Sequence, residues 1–325
     1  MKKRILITGG AGYVGRTLAR LFYDDHTVCV LDALRFGASR LSGQDRRAVV
    51  LEQVDLRDAE AVAAAVGRFA PDVIVHLAAV HYIPECERQP DLAIATNVIG
   101  TVNLLKAAPE GCRFVFASSG AVYAPDEALH HEERSVLMPS DVYGFTKLQG
   151  EQYVRYFAAQ KHLEAVVVRL FNVVGPGETN PHLLPEIVAQ LKAGRQVIQL
   201  GNIWPKRDYI HVADAAAGFA ACALRGDVGE GEVATVNLGT SRQYSVSEIL
   251  SKLQKVAGTG FTFEQDPARV RAVDRPFLGA DITAIGRRFG WAPSHSIDEA
   301  IADLWRAPDL SEALMAKYDL QGKAA

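Results

Sequence analysis

The residue order predicts a doubly wound α/β fold, a parallel sheet covered on both faces, followed by a smaller mixed α/β lobe. Three observations carry this. Short β-branched runs alternate with helical patterns through the first half of the chain, a glycine-rich turn joins the first run to the first helix, and the alternation stops at a Gly/Pro-rich stretch after Asn172. The runs place strands over residues 4–8, 27–31, 49–55, 73–78, 114–118 and 165–171, with helices over 13–23, 58–69, 92–107 and 143–160 between them. Leu18, Leu21 and Phe22 stand at core spacing on the first helix. The stretch VVGPGETNPHLLP then marks a domain transition. Beyond it the pattern gives helices over 184–193, 214–224, 246–256 and 297–305, a strand near 235–238 and a terminal helix that frays. The expected division is a first domain of 1–172, rejoined by 206–243, and a second lobe of 173–205 and 244–325.

A chain of 325 residues fits two domains or one large domain with an appendage. Its 49% hydrophobic and 22% charged residues are those of an ordinary globular protein, and a net charge of −3 argues against a nucleic-acid partner. The apolar runs are too short or too interrupted to span a bilayer. The start, MKKRILITGG, has only three apolar residues before Thr8 and the glycines, which is no secretory leader, so a cytoplasmic location is expected. Cys29, Cys86, Cys112 and Cys222 are scattered without CxxC spacing, which reads as reduced thiols and neither a disulfide framework nor a zinc site.

Gly9, Gly10, Gly12 and Gly15 stand in TGGAGYVG, directly after the first strand and before the first helix. In that context the glycines are a dinucleotide fingerprint: the turn must be tight, and the backbone must approach a pyrophosphate seated on the helix N-terminus. The first domain is therefore expected to be a Rossmann domain. Asp32 ends the second strand, 17 residues after Gly15, where a carboxylate bonds the adenosine ribose and repels a 2′-phosphate, favouring NAD over NADP. Arg35 follows and is suited to a phosphate. Asp55, at the end of the third strand, fits an approach to adenine and equally a cap for the next helix.

Tyr143 and Lys147, in YGFTK, stand at i and i+4 on one helix face. A neighbouring ammonium favours the phenolate and lowers a tyrosine pKa that is otherwise near 10, which makes Tyr143 a base for a sugar hydroxyl. The fifth strand ends in Ser118 and Ser119, at the strand end where ligands bind in such sheets.

TGGAGYVG, HLAAVH, the Ser-Ser-Gly-Ala-Val-Tyr run, YGFTK and RLFNVVGPG together resemble the extended short-chain dehydrogenase/reductase family of nucleotide-sugar enzymes over nearly the whole chain. The resemblance implies a catalytic triad of Ser119, four residues before Tyr123, with Tyr143 and Lys147. It implies NAD contacts from Gly9, Gly12, Tyr13, Val14, Gly15, Asp32, Asp55, Leu56, Leu77, Ala78, Ala79, His81 and Asn97. For the nucleoside-diphosphate sugar it implies Asn172, His182, Leu183, Arg207, Arg271 and Asp274, the arginines being fixed cations for a pyrophosphate. RDYIHV resembles the UDP-galactose 4-epimerases of the family, which favours a UDP-sugar; those enzymes carry Asn-Leu where this chain has His182 and Leu183. The family also implies a homodimer through the helices 92–107 and 143–160, with Val98, Val102, Leu105, Val154 and Phe157 as apolar positions that equally suit the sheet.

Family dehydratases place Asp-Glu after the catalytic Thr, and decarboxylases a Glu at the second of those positions. This chain has Gly120 and Ala121 there, so elimination lacks its acid and base. The expected activity is a 4-epimerase without a metal, working by transient oxidation at C4 on tightly held NAD. The alternatives are a nucleotide-4-ketosugar reductase or 4,6-dehydratase of the same family, and, outside enzymes, an NAD-binding sensor; sensors tend to lose the Tyr and Lys that are present here.

Overall fold

The computed structural model describes residues 2–35, 40–178, 180–270, 275–307, 310 and 312–319. In chain order its strands are β1 (Arg4–Thr8), β2 (Thr27–Asp32), β3 (Val50–Gln53), β4 (Val73–His76), β5 (Arg113–Ser119), β6 (Glu164–Leu170), β7 (Asn172–Val174), β8 (Val197–Leu200), β9 (Lys206–His211), β10 (Val233–Leu238), β11 (Gln243–Ser245), β12 (Thr262–Gln265) and β13 (Phe277–Leu278). Seven of them form one parallel sheet in the order β10-β6-β5-β4-β1-β2-β3. The period of two sends neighbouring side chains to opposite cores: Ile5 and Ile7 pack with the helices Tyr13–Phe22 and Val212–Leu224, while Leu6 packs with the helix Ala59–Phe69. Both faces are covered, which is why the strands are apolar throughout instead of alternating.

The strand order reverses beside β1, so the carboxyl ends of β1 and β4 open onto a crevice. His76 at the end of β4 is buried with Nδ1 2.7 Å from Thr8 Oγ1 and Nε2 2.8 Å from Thr101 Oγ1. Burial pushes its pKa down to about 3, so it is a neutral strut joining β1, β4 and the helix behind them.

The helix expected over 92–107 runs from Pro90 to Ala107 with a π turn at Ala95–Ile99, and a further short helix, Ile83–Arg88, precedes it. Pro90 starts a new helix at its first position. Gly100 approaches Leu56 so closely that a Cβ there would lie 2.8 Å from the Leu56 Cβ. Val98, Leu105 and Val154 point into the fold, the second of the two placements expected for them. The exposed apolar residues of these two helical regions are Ile94, Ile99, Phe145, Tyr153 and Tyr156.

The second lobe has its own core, in which the helices Leu183–Lys192, Val246–Ala257 and Ile297–Arg306 contribute Leu184, Ile187, Ile249, Leu253 and Ile301. The chain crosses between lobes differently from expectation at two places. Within 206–243, the helix Val212–Leu224 and β10 join the first domain, but β9 pairs with β7, β11 and β13 in a separate small sheet. Within 244–325, Ile285, Phe289 and Trp291 pack into the first core, because the helix Thr283–Phe289 lies against β10. The terminal helix spans Glu312–Lys317. Among the described residues no helix is long and apolar enough to cross a membrane.

Candidate active site

Gly9, at φ +67°, accepts the backbone of the β4 end so closely that a Cβ there would lie 2.8 Å from the Ala78 backbone. Gly15 is tighter still, with a Cβ 2.2 Å from the Gly9 carbonyl oxygen. Gly12 precedes the helix Tyr13–Phe22 without any side-chain cap, so the first N–H groups of that helix are left for a ligand. This cradle fits a dinucleotide pyrophosphate. Asp32 holds it from the β2 end, accepting from Ala11 N at 3.1 Å and Leu34 N at 2.8 Å, and burial raises its pKa. Two carboxylate oxygens with lone pairs to spare suit ribose hydroxyls. Arg35 forms an ion pair with Glu85.

The cleft that begins here continues past β4 and β5 to the second lobe, with a volume of about 1720 Å³. A pocket for one drug-sized ligand is about 300–1,000 Å³, so the space suits two nucleotide-sized molecules end to end. Gly9, Gly12, Tyr13, Val14, Gly15, Asp32, Asp55, Leu77, Ala78, Ala79 and His81 line it, as do Ser119, Tyr143, Lys147, Asn172, His182, Leu183 and Arg207. Two expected members do not. Leu56 is buried in the core beneath the cleft. Asn97 spends its amide on Val80, with 2.8 Å bonds to both the Val80 N–H and carbonyl, and on Thr146 Oγ1 at 3.0 Å, so it shapes the loop after β4 from behind. Asp55 is not the cap of the next helix, which is Asp58; Asp55 pairs with Arg57 at the rim. Arg271 and Asp274 lie outside the described residues.

Tyr143 and Lys147 occupy the first turns of the helix Val142–Lys161, whose end is capped by Asp141 accepting from Gly144 N at 2.7 Å. Gly144 lets that turn press on the loop after β5, since a Cβ there would lie 2.6 Å from the Ala121 carbonyl oxygen. Tyr143 and Ser119 line the cleft together; burial raises the phenol pKa, and the Ser119 side chain opposes the rise. Lys147 is buried, its Nζ 5.7 Å from the Tyr143 ring centre, and burial pushes its pKa down to about 8. Ala121 N donates to Ser119 Oγ at 3.1 Å, and Gly120 lies against Phe171, where a Cβ would meet the ring at 3.1 Å.

Arg275 bridges this corner, with its guanidinium 2.9 Å from the Ala121 carbonyl and 3.0 Å from Asp141, and its own carbonyl accepts from Arg207 at 2.7 Å. Sequence reasoning passed over it in favour of Arg271, four residues earlier on the same arginine-rich run. Gly175, Gly177 and Asn180 are fastened across the cleft: Tyr13 Oη donates to Gly175 O at 3.0 Å, Arg16 to Gly177 O at 2.8 Å, and Asn180 lies 2.9 Å from His81. His182 opens the helix Leu183–Lys192 with Nδ1 3.2 Å from Glu178.

Residues 5–239 match the model of the NAD dependent epimerase/dehydratase family. The chain is 31% identical to UDP-glucose 4-epimerase 4 of Oryza sativa subsp. japonica, over 93% of this chain and 89% of that protein. It is 26% identical to a GDP-6-deoxy-D-mannose reductase of Pseudomonas aeruginosa, over 93% and 95%. Among solved structures, a UDP-glucose-4-epimerase from Stenotrophomonas maltophila with bound NAD and formylated UDP-arabinopyranose superposes with a TM-score of 0.85 at 28% identity, covering 99% of this chain and 100% of that one. With the glycine cradle, Asp32 and the Ser119–Tyr143–Lys147 corner in one cleft, the chain belongs to the NAD-dependent epimerase/dehydratase family.

Proposed function

We propose that this enzyme is an NAD-dependent 4-epimerase of a nucleoside-diphosphate sugar, a UDP-sugar, and that Ser119, Tyr143 and Lys147 carry the reaction. The observation that carries the reading is that Ser119, Tyr143 and Lys147 line one cleft, with the Lys147 Nζ 5.7 Å from the Tyr143 ring centre one helical turn away. Tyr143 takes the proton of the sugar C4 hydroxyl, Lys147 favours the phenolate, and Ser119 holds the reacting oxygen. NAD bound in this cleft would supply the hydride acceptor and donor for transient oxidation at C4. The glycine turn and Asp32 hold its diphosphate and adenosine ribose, and Leu77, Ala78, Ala79 and His81 border its reactive end. Asn172, His182, Leu183, Arg207 and Arg275 face the space for the sugar nucleotide.

Gly120 and Ala121 leave the sugar without an adjacent carboxyl pair, which disfavours elimination. The bonds that fasten Gly175, Gly177 and Asn180 to Tyr13, Arg16 and His81 favour a cofactor retained through the cycle. A 4-ketosugar reductase is the second reading, favoured by the reductase relative. The purified enzyme is expected to carry NAD and to interconvert UDP-glucose and UDP-galactose, or another pair of UDP-sugar epimers, without added cofactor. Stoichiometric consumption of NADH on a 4-ketosugar would assign the reductase instead.

The exposed Ile94, Ile99, Phe145, Tyr153 and Tyr156 support a homodimer on the two helical regions that carry them. Sedimentation at micromolar concentration is expected to give a dimer that Phe145→Asp with Tyr156→Asp dissociates; a wild-type monomer contradicts it. We place the protein in the cytoplasm, because its four cysteines are buried free thiols suited to a reducing compartment. The two-lobe division is kept with β9 assigned to the second lobe and 283–291 to the first domain.

A further inference from the structure

Directly beneath Ser119 the sheet carries a buried polar row that the reaction above does not use. Ser118, Arg169 and Asn237 are register partners across β5, β6 and β10. Glu151 joins them from the helix Val142–Lys161, where Tyr143, Lys147 and Glu151 stand at i, i+4 and i+8. The Glu151 carboxylate accepts from Ser118 Oγ at 2.5 Å and takes Arg169 in a fork, Nε at 2.9 Å and the terminal nitrogen at 2.8 Å. Both side chains are 1% exposed. The other terminal nitrogen of Arg169 donates to Tyr123 Oη at 2.9 Å and to the Glu132 carbonyl at 3.1 Å, and Tyr123 Oη donates to Asn237 Oδ1 at 2.7 Å.

A buried ion pair is weak evidence for stability, because desolvation offsets most of its attraction; its best-attested use is to specify register. Here the two elements being registered are those that carry the reacting hydroxyls. Ser119 follows Ser118 by one residue on β5, and Tyr143 precedes Glu151 by two helical turns, about 12 Å along a rigid axis. Gly150 removes the steric stop that would otherwise set the packing, since a Cβ there would lie 2.5 Å from the Phe116 ring. The helix is thus seated directly on Phe116; the Arg275 bridge joins its Asp141 cap to the loop after β5, and the Glu151 bonds fix it two turns further along the strand.

We infer that Glu151 and Arg169, through Ser118, are positioning residues that lock the register of the Tyr143 helix against the Ser119 strand. The inference rests on the proposed roles of Ser119 and Tyr143. A slip of about 1 Å is enough to cost roughly 10²-fold in rate, while leaving the distant grips on NAD and nucleotide in place.

Ser118→Ala removes one hydroxyl and leaves the ion pair intact, so it is the variant expected to fold. Its kcat, counted per NAD-bound site, is expected to fall by about fivefold or more with KM and NAD content within about twofold of wild type. Glu151→Gln is expected to lower kcat per NAD-bound site further, and Ser118→Thr, which restores the hydroxyl, to recover activity relative to Ser118→Ala. A Ser118→Ala enzyme that loses less than about fivefold in kcat, or that loses its activity through KM alone, overturns the positioning role. Tyr143→Phe run in the same assay separates the two levels. An active Tyr143→Phe removes the catalytic reading itself, whereas an inactive Tyr143→Phe beside a fully active Ser118→Ala removes only the positioning role.

Discussion

Tyr143→Phe is expected to lower kcat by about 10²-fold or more while NAD content and Tm stay near wild type. The substitution removes one oxygen and keeps the ring, so the packing of the helix Val142–Lys161 against β5 is unchanged. What is lost is the proton acceptor and the phenol oxygen's interaction with the Ser119 side chain. The expected signature is a fall in kcat with KM nearly constant, since the nucleotide is held at the other end of a cleft of about 1720 Å³. A variant that keeps more than about a tenth of wild-type kcat would falsify the assignment of Tyr143 as the base.

Gly15→Ala carries the other large effect. The new Cβ would lie 2.2 Å from the Gly9 carbonyl oxygen and 2.7 Å from Gly10 Cα, both of them backbone, so the turn itself must open. Overpacking of this kind costs about 1–3 kcal/mol, and the opened turn no longer presents its N–H groups to a pyrophosphate. The variant is expected to purify with little or no NAD and to be inactive at cofactor concentrations that saturate wild type, as read from its ultraviolet absorbance ratio and assay. Gly67→Ala is the control. Nothing lies within 4 Å of its Cβ position in the interior of the helix Ala59–Phe69, so a gain of about 0.5–1 kcal/mol with unchanged NAD content is expected. Normal NAD content in Gly15→Ala would contradict the cradle.

The first domain was legible because its signals are local. Apolar runs such as those around Ile5, Val30 and Ile74 state strands by themselves, and a glycine turn between strand and helix states its ligand. The corner of Ser119, Tyr143 and Lys147 was legible for the same reason, as two short motifs. In the second lobe the helices Leu183–Lys192, Val246–Ala257 and Ile297–Arg306 stand where expected, but the strands did not show, because β7, β8, β11 and β13 have only two to four residues each and pair with partners far along the chain. Such strands have no periodicity to detect. Asn97 and Leu56 came from the family resemblance alone, and only the packing shows that the Asn97 amide binds Val80 and the Leu56 side chain faces the core. Glu151 and Arg169 were invisible for the opposite reason. A glutamate and an arginine 18 residues apart carry no pattern until the fold buries them together.

Transient oxidation at C4 on a retained cofactor is the central claim, and isotope position in the product tests it most directly. UDP-glucose or another UDP-sugar substrate carrying deuterium at C4 is converted in ordinary water without added NAD, and the product is read by NMR. The account predicts deuterium fully retained at C4 of the epimer, no solvent hydrogen at C5 and no net change in NADH absorbance. Deuterium found at C6, with solvent hydrogen at C5, would show a dehydratase and contradict the reading of Gly120 and Ala121.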